Sequence, residues 1–420
     1  MRKPAADKLM QRVGVAVVTG AVLLSQVPAQ AIASEAGSSA APQTASQASA
    51  QSEPQQQSDS ANPPEPPSGG VATDRGGGNI SVDGGTISIE GSGSPIVYST
   101  GDIEVSDVTG TASESQLVGM EGLITVLIRN STLSSSQTGK TASDPVADGV
   151  IIYQSTSGDA ESTTGEAATF QAVDSKLSSA IQSDSMFYLT NTSADVVLKN
   201  TELDFASSAA RLLYAAGNDA NNWGQAGSNG ATVKFTGIGQ QLAGDVVADT
   251  ISSVDLHLTE GTTWAGAASI EQNAAGSTSD APMTVNIDGS SQWTVTADST
   301  VSSLNVAEGA KVVDADGKTV TIVAGGQTVV QGDSGLTVTV TGSYSTDYDA
   351  SEAGSPTSEA IDRTAYDDAF GTDAGDASSD EKDATSQAST ASDTDSGSSS
   401  DAEKGFFAQV VDWLKSLFGM

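Results

Sequence analysis

ITVLIRNSTL, residues 124–133, and VVLKNTEL, residues 196–203, carry the pattern that decides the fold. Each is an apolar, β-branched run that stops at an asparagine, turns through Ser or Thr, and resumes with Leu. Alternation with a period of two puts one set of side chains on one face of a strand. The unit returns at Ile103-Glu104-Val105, Thr232-Val233-Lys234-Phe235, Val254-Asp255-Leu256-His257-Leu258, Thr284-Val285-Asn286-Ile287 and Val320-Thr321-Ile322-Val323. Ile103 and Ile124, Val233 and Val254, Val285 and Val306, and Val301 and Ile322 each stand 21 residues apart, a spacing that marks stacked repeats. Residues 79–345 show no helical face. They are expected to be all-β, and a right-handed parallel β-helix is preferred to tandem sandwiches, which would need a linker every ~100 residues. Val, Ile and Leu would stack inside, leaving Asp, Ser and Thr in water.

The flanks have a different texture. Residues 1–33 read as a secretory signal peptide: Arg2, Lys3, Lys8 and Arg12 precede an apolar stretch at 13–27 and small-residue cleavage sites ending at Ala31 or Ala33. That stretch is shorter than the ~20 residues needed to cross a bilayer. Residues 34–78 are Ser, Ala, Gln, Pro and Gly with Val71 as the one large apolar side chain, so they are expected to be a disordered linker. Residues 346–404 form a second such tract, with 16 carboxylates against Arg363, Lys382 and Lys404. Residues 361–370, IDRTAYDDAF, are its only island with enough apolar content to dock on something. Residues 405–420 end the chain with an amphipathic helix pattern. Phe406, Phe407, Val410, Val411, Trp413, Leu414, Leu417 and Phe418 share one arc, an expected contact to a membrane surface, to a partner protein, or back onto an open end of the stack.

Composition narrows the chemistry. The 420 residues hold 53 Asp and Glu against 17 Lys and Arg, a formal charge of −36, so nucleic acid is not an expected partner. There is no cysteine, which removes disulfides and thiolate chemistry. A catalytic relay or histidine metal site would have to be built around the single histidine, His257. That residue is expected on the outer, solvated strand face beside Asp255.

SQWTVTADSTVSSLNV, residues 291–306, resembles the rungs of autotransporter passenger domains and related bacterial surface adhesins. The turns at Asn130 and Asn200 are similar to other coils of that family, and the likeness is strongest over residues 284–323. It implies a right-handed β-helix displayed on, or released from, bacterial cells. The translocator barrel of autotransporters has no counterpart here, which implies export by another route.

Several residues invite a sharper role. Asp314-Ala315-Asp316-Gly317-Lys318 begins like a calcium loop, but the third loop ligand and the closing Glu are missing, and Asp-Gly also makes an ordinary turn. No other cofactor is expected. Asp255, Glu260, Asp288 and Asp298 are candidates for a glycosidase pair that geometry alone could promote. Tyr153, Tyr188, Tyr214, Trp264 and Trp293 are expected to offer stacking platforms for neutral sugars, and core stacking explains the three tyrosines equally well. Trp223, in the polar loop 218–229, is expected to be exposed and to stack on a ligand. The function these readings favour is a secreted or cell-surface adhesin-like binding and display protein for a surface glycan or protein, without catalysis. The alternative is a β-helical polysaccharide lyase or glycoside hydrolase.

Overall fold

The computed structural model describes residues 71–72, 78–156, 167–220, 222–357 and 361. The signal peptide, most of the linker, the acidic tract apart from 346–357 and Ile361, and the C-terminal helix pattern with Phe406, Phe407, Val410, Trp413, Leu414, Leu417 and Phe418 lie outside the described residues. The described chain is all-β, with one 3-10 turn at Ala350–Glu352.

Among the described residues three sheets hold the strands, and every strand pairing is parallel except the hairpin of Thr321–Ala324 with Gln327–Val330. The chain visits the sheets in turn. Arg211–Ala215 lies in the eight-stranded sheet, Ala231–Ile238 in the fifteen-stranded sheet and Gln241–Ala243 in the four-stranded sheet. Val246–Asp249, Ser253–Thr259 and Thr263–Gly266 then repeat the passage beside their predecessors, as do Ala268–Glu271, Met283–Ile287 and Gln292–Val295. Alternation brings one side chain of every second residue inward. Ile80, Ile103, Val126, Phe170, Val196, Phe235, Leu256, Val285 and Leu304 therefore meet in one column through the large sheet. They belong to a single apolar core that runs from Val71 to Val340.

The 21-residue interval holds for Val233 and Val254, which are direct partners. Elsewhere it does not set the register: Ile103 pairs with Val126, Val285 with Leu304 and Val301 with Val340. Corners set it instead. Gly84, Asp107, Asn130, Asp174, Asn200, Gly239 and Glu260 all have positive φ, between 47° and 74°, and fall at the same level between matched strand partners. This left-handed conformation favours Gly, Asn and Asp. Hydroxyls next to the corners link the passes: Ser131 Oγ accepts from the Val108 N–H at 3.1 Å, and Ser175 Oγ from that of Ser131 at 3.1 Å.

Both expected borders of the folded region move outward. Val71–Ala72, inside the span expected to be linker, pairs with Val97–Tyr98, and Val71 is buried in the core. Residues 347–357, assigned from their composition to a disordered tract, lie as a strap across the outer face of the large sheet. Gly354 donates its N–H to Thr236 Oγ1 at 2.9 Å, Thr357 to Gln171 Oε1 at 3.0 Å and Ile361 to Glu104 Oε2 at 2.8 Å. Arg129 reaches the Thr357 carbonyl at 3.2 Å while paired with Glu104. The outward row Glu104, Leu127, Gln171, Val197, Thr236, His257 and Asn286 is buried, and the strap touches it at Glu104, Gln171, Val197, Thr236 and His257.

Candidate functional site

Beside the strap, the outer face of the large sheet opens into a groove of about 800 Å³. Its floor follows from the parallel register: Asp195 pairs with Lys234, Lys234 with Asp255 and Asp255 with Thr284, so the outward side chains of successive passes stand in a row. The strap supplies the wall, through Asp347, Tyr348, Asp349 and Glu352. Five carboxylates (Asp195, Asp255, Asp347, Asp349 and Glu352) face Lys234, the single Lys or Arg among the described lining residues. Such a field repels anions.

At the centre, Asn305 Nδ2 donates to Asn286 Oδ1 at 2.7 Å, and Asn286 Nδ2 donates to Asp255 Oδ1 at 2.7 Å. The other Asp255 oxygen lies 3.1 Å from His257 Nε2, but off the line of a hydrogen bond, as a close polar contact. Burial by itself would raise the Asp255 carboxyl; His257, Asn286 and Lys234 outweigh burial and hold it below the ordinary range. His257 Nδ1 is 3.3 Å from Tyr348 Oη. Burial, with Asp288, Asp255 and Asp349 nearby, pushes the Tyr348 phenol up to about 12. His257 is only 1% exposed. The expectation of a solvated histidine is thus corrected: the strap, and Tyr348 above all, covers it, and the ring props the groove wall from beneath.

Trp223 is also corrected. It is 6% exposed, with its ring 4.5 Å from that of Tyr153, in a small apolar cluster with Ile151 and Tyr188. Those side chains point out of the eight-stranded sheet, and the loop holding Trp223 folds over them. Trp264 and Trp293 lie inside the stack with their rings parallel at 4.8 Å. Trp264 Nε1 donates to the Gly244 carbonyl and Trp293 Nε1 to that of Gly266. Tyr214 stays half-buried under the Arg211 guanidinium, 4.5 Å from its ring centre.

The remaining carboxylate candidates serve turns. Asp288 accepts from the Glu260 and Ser290 N–H groups, and Asp298 from that of Thr337. Asp314 accepts the N–H groups of Asp316 and Lys318 and closes a turn above the Val313–Thr319 bridge. Among the described residues, no group of three or more acidic or histidine side chains is placed to hold a metal. Sequence reasoning missed Asn286, Asn305, Lys234 and Tyr348 as groove residues. Their strands were legible, but the wall that makes a groove of them was not. Comparison with protein-family models, with curated proteins and with solved structures returns no match.

Proposed function

We propose that residues 71–357 form a right-handed parallel β-helix, and that the protein is secreted and acts at the bacterial surface as a non-catalytic, adhesin-like binding and display protein. In-register parallel passes through the same sheets support the architecture. The groove between the Asp195–Asp255 row and the strap is the ligand site. The observation that carries this reading is the commitment of Asp255, the central carboxylate, to Asn286 and His257. A carboxylate so held shapes a surface of amides and carboxylates, which suits the hydroxyls of a neutral glycan. The like charge of the walls makes acidic polysaccharides poor ligands. Phe406, Phe407, Val410, Trp413, Leu414, Leu417 and Phe418 would provide the attachment to lipid or to a partner protein.

The test is a glycan array probed with the full-length protein, alongside incubation with pectin, alginate and neutral glycans. Binding to a neutral glycan, weakened at least tenfold by Asn286→Ala, about the 1.4 kcal/mol of one lost hydrogen-bonding contact, is expected without turnover. Turnover that Asp255→Asn abolishes would overturn the binding reading in favour of an enzyme.

A further inference from the structure

We propose that the outer row of the large sheet is a docking track for an extended polypeptide, that its occupant is this chain's own strap, and that the strap can leave the track while the sheets stay folded. The track is specific in three ways. Its acceptors Thr236 Oγ1, Gln171 Oε1 and Glu104 Oε2 take main-chain N–H groups at 2.8–3.0 Å, and Arg129 takes a main-chain carbonyl. Its floor is apolar where Leu127 and Val197 face outward, both buried. It also has a tight slot at residue 354, where a Cβ would stand 2.9 Å from Val197 Cγ2 and 3.1 Å from Thr236 Oγ1 and would push those side chains aside.

Geometry favours an extended segment. From Thr236 to Gln171 the row crosses two strand spacings, roughly 10 Å at ~4.8 Å each. Gly354 to Thr357 is three residues, which reach roughly 10 Å when stretched. Between these two anchors the strap therefore runs nearly straight across the strands. It adds no strand to a sheet, and its described hydrogen bonds to the track use sheet side chains, so leaving costs the sheets no ladder bonds. Tethered directly to the last strand, the strap competes at an effective concentration on the order of mM. A polypeptide arriving from outside must bind more tightly than that to displace it. The inference stands whatever fills the neighbouring groove.

The experiment compares full-length wild-type protein with Gly354→Val. In the wild type, the amides of Gly354 and Thr357 should exchange hydrogen at least about tenfold more slowly than an open chain, yet faster than Phe235 in the core. Exchange at the open-chain rate, or at the core rate, overturns the proposal without any variant. In Gly354→Val that protection should vanish while Phe235 keeps its own. A labelled peptide of residues 346–357, TDYDASEAGSPT, should then bind the variant and not the wild type. Adding Gln171→Leu to the variant should remove the binding. Retained protection in the variant, or a released strap with no peptide binding, would sink the idea. Should Gly354→Val unfold the sheets, Thr236→Val, which removes one acceptor of the track, takes its place: protection of Gly354 should fall while Phe235 keeps its own and the labelled peptide stays unbound, and unchanged protection of Gly354 would overturn the proposal.

Discussion

Corner residues carry more of the fold than their count suggests, because each must hold a left-handed backbone that most side chains resist. Asn130, at φ 47°, also sits above Ser131, whose hydroxyl links two passes. Asn130→Val is expected to lower stability by about 1–2 kcal/mol and Asn130→Gly to leave it nearly unchanged, as measured by urea unfolding. Asp148 is a residue of another kind. It points into the core beside Ser185, is 3% exposed, and neither of its oxygens has a hydrogen-bond partner. Burial, then the charges of Asp144 and Asp184, push its carboxyl well above the usual range; burial likewise raises Asp144 to about 7. Both folded values exceed the unfolded ones. The stability these groups support is therefore full below about pH 4 and drains away as pH rises, through about 7 for Asp144 and higher for Asp148. Each such group costs about 1.4 kcal/mol per pH unit inside its window. Asp148→Asn should match the wild type near pH 4 and unfold at higher denaturant near pH 8. Equal pH slopes for the two proteins would refute this account.

Strands and turns were legible in the sequence wherever alternation and a left-handed corner coincide. ITVLIRNSTL places Thr125–Arg129 and Thr132–Ser135 on either side of Asn130, as its pattern demands. Registers were less legible, since loops of unequal length separate the passes and a residue count cannot locate the corner. The doubled apolar runs Val126-Leu127-Ile128 and Val196-Val197-Leu198 were the overlooked signal. An outward Leu or Val inside an alternating strand requires cover on the second face, and over Val197 the strap provides it at Gly354. Its own composition, acidic and rich in Ser and Ala, hides that role. The same logic applies to Ile151, Tyr153 and Tyr188, which the Trp223 loop covers. Trp223→Ala should therefore lower stability by roughly 3 kcal/mol or more, the usual cost of emptying a buried aromatic site, without weakening ligand binding. Unchanged melting with lost binding would restore Trp223 as an exposed stacking residue.

At the scale of the whole molecule, strap and first strand determine how much chain the fold needs. Ile361 meets Glu104, and Glu104 pairs with Ser81, so the strap returns towards the strands where the described chain begins. A fragment of residues 79–345 keeps most of the apolar core but loses Val71, uncovers Leu127 and Val197, and leaves Glu104 and Arg129 without the strap. Each fully buried side chain of that size contributes ~1.5–3 kcal/mol, and half-loss at three positions removes roughly 2–4 kcal/mol. At roughly 2–4 °C per kcal/mol, the fragment 71–361 should melt about 5–15 °C above 79–345, while both show the circular dichroism of β-structure. Removing residues 405–420 from the full chain should leave that melting temperature alone and release the protein from liposomes or envelope fractions. If the two fragments melt together, the strap adds nothing to the fold. If the deletion of 405–420 lowers melting instead, those residues serve the β-structure and the attachment role assigned to them fails.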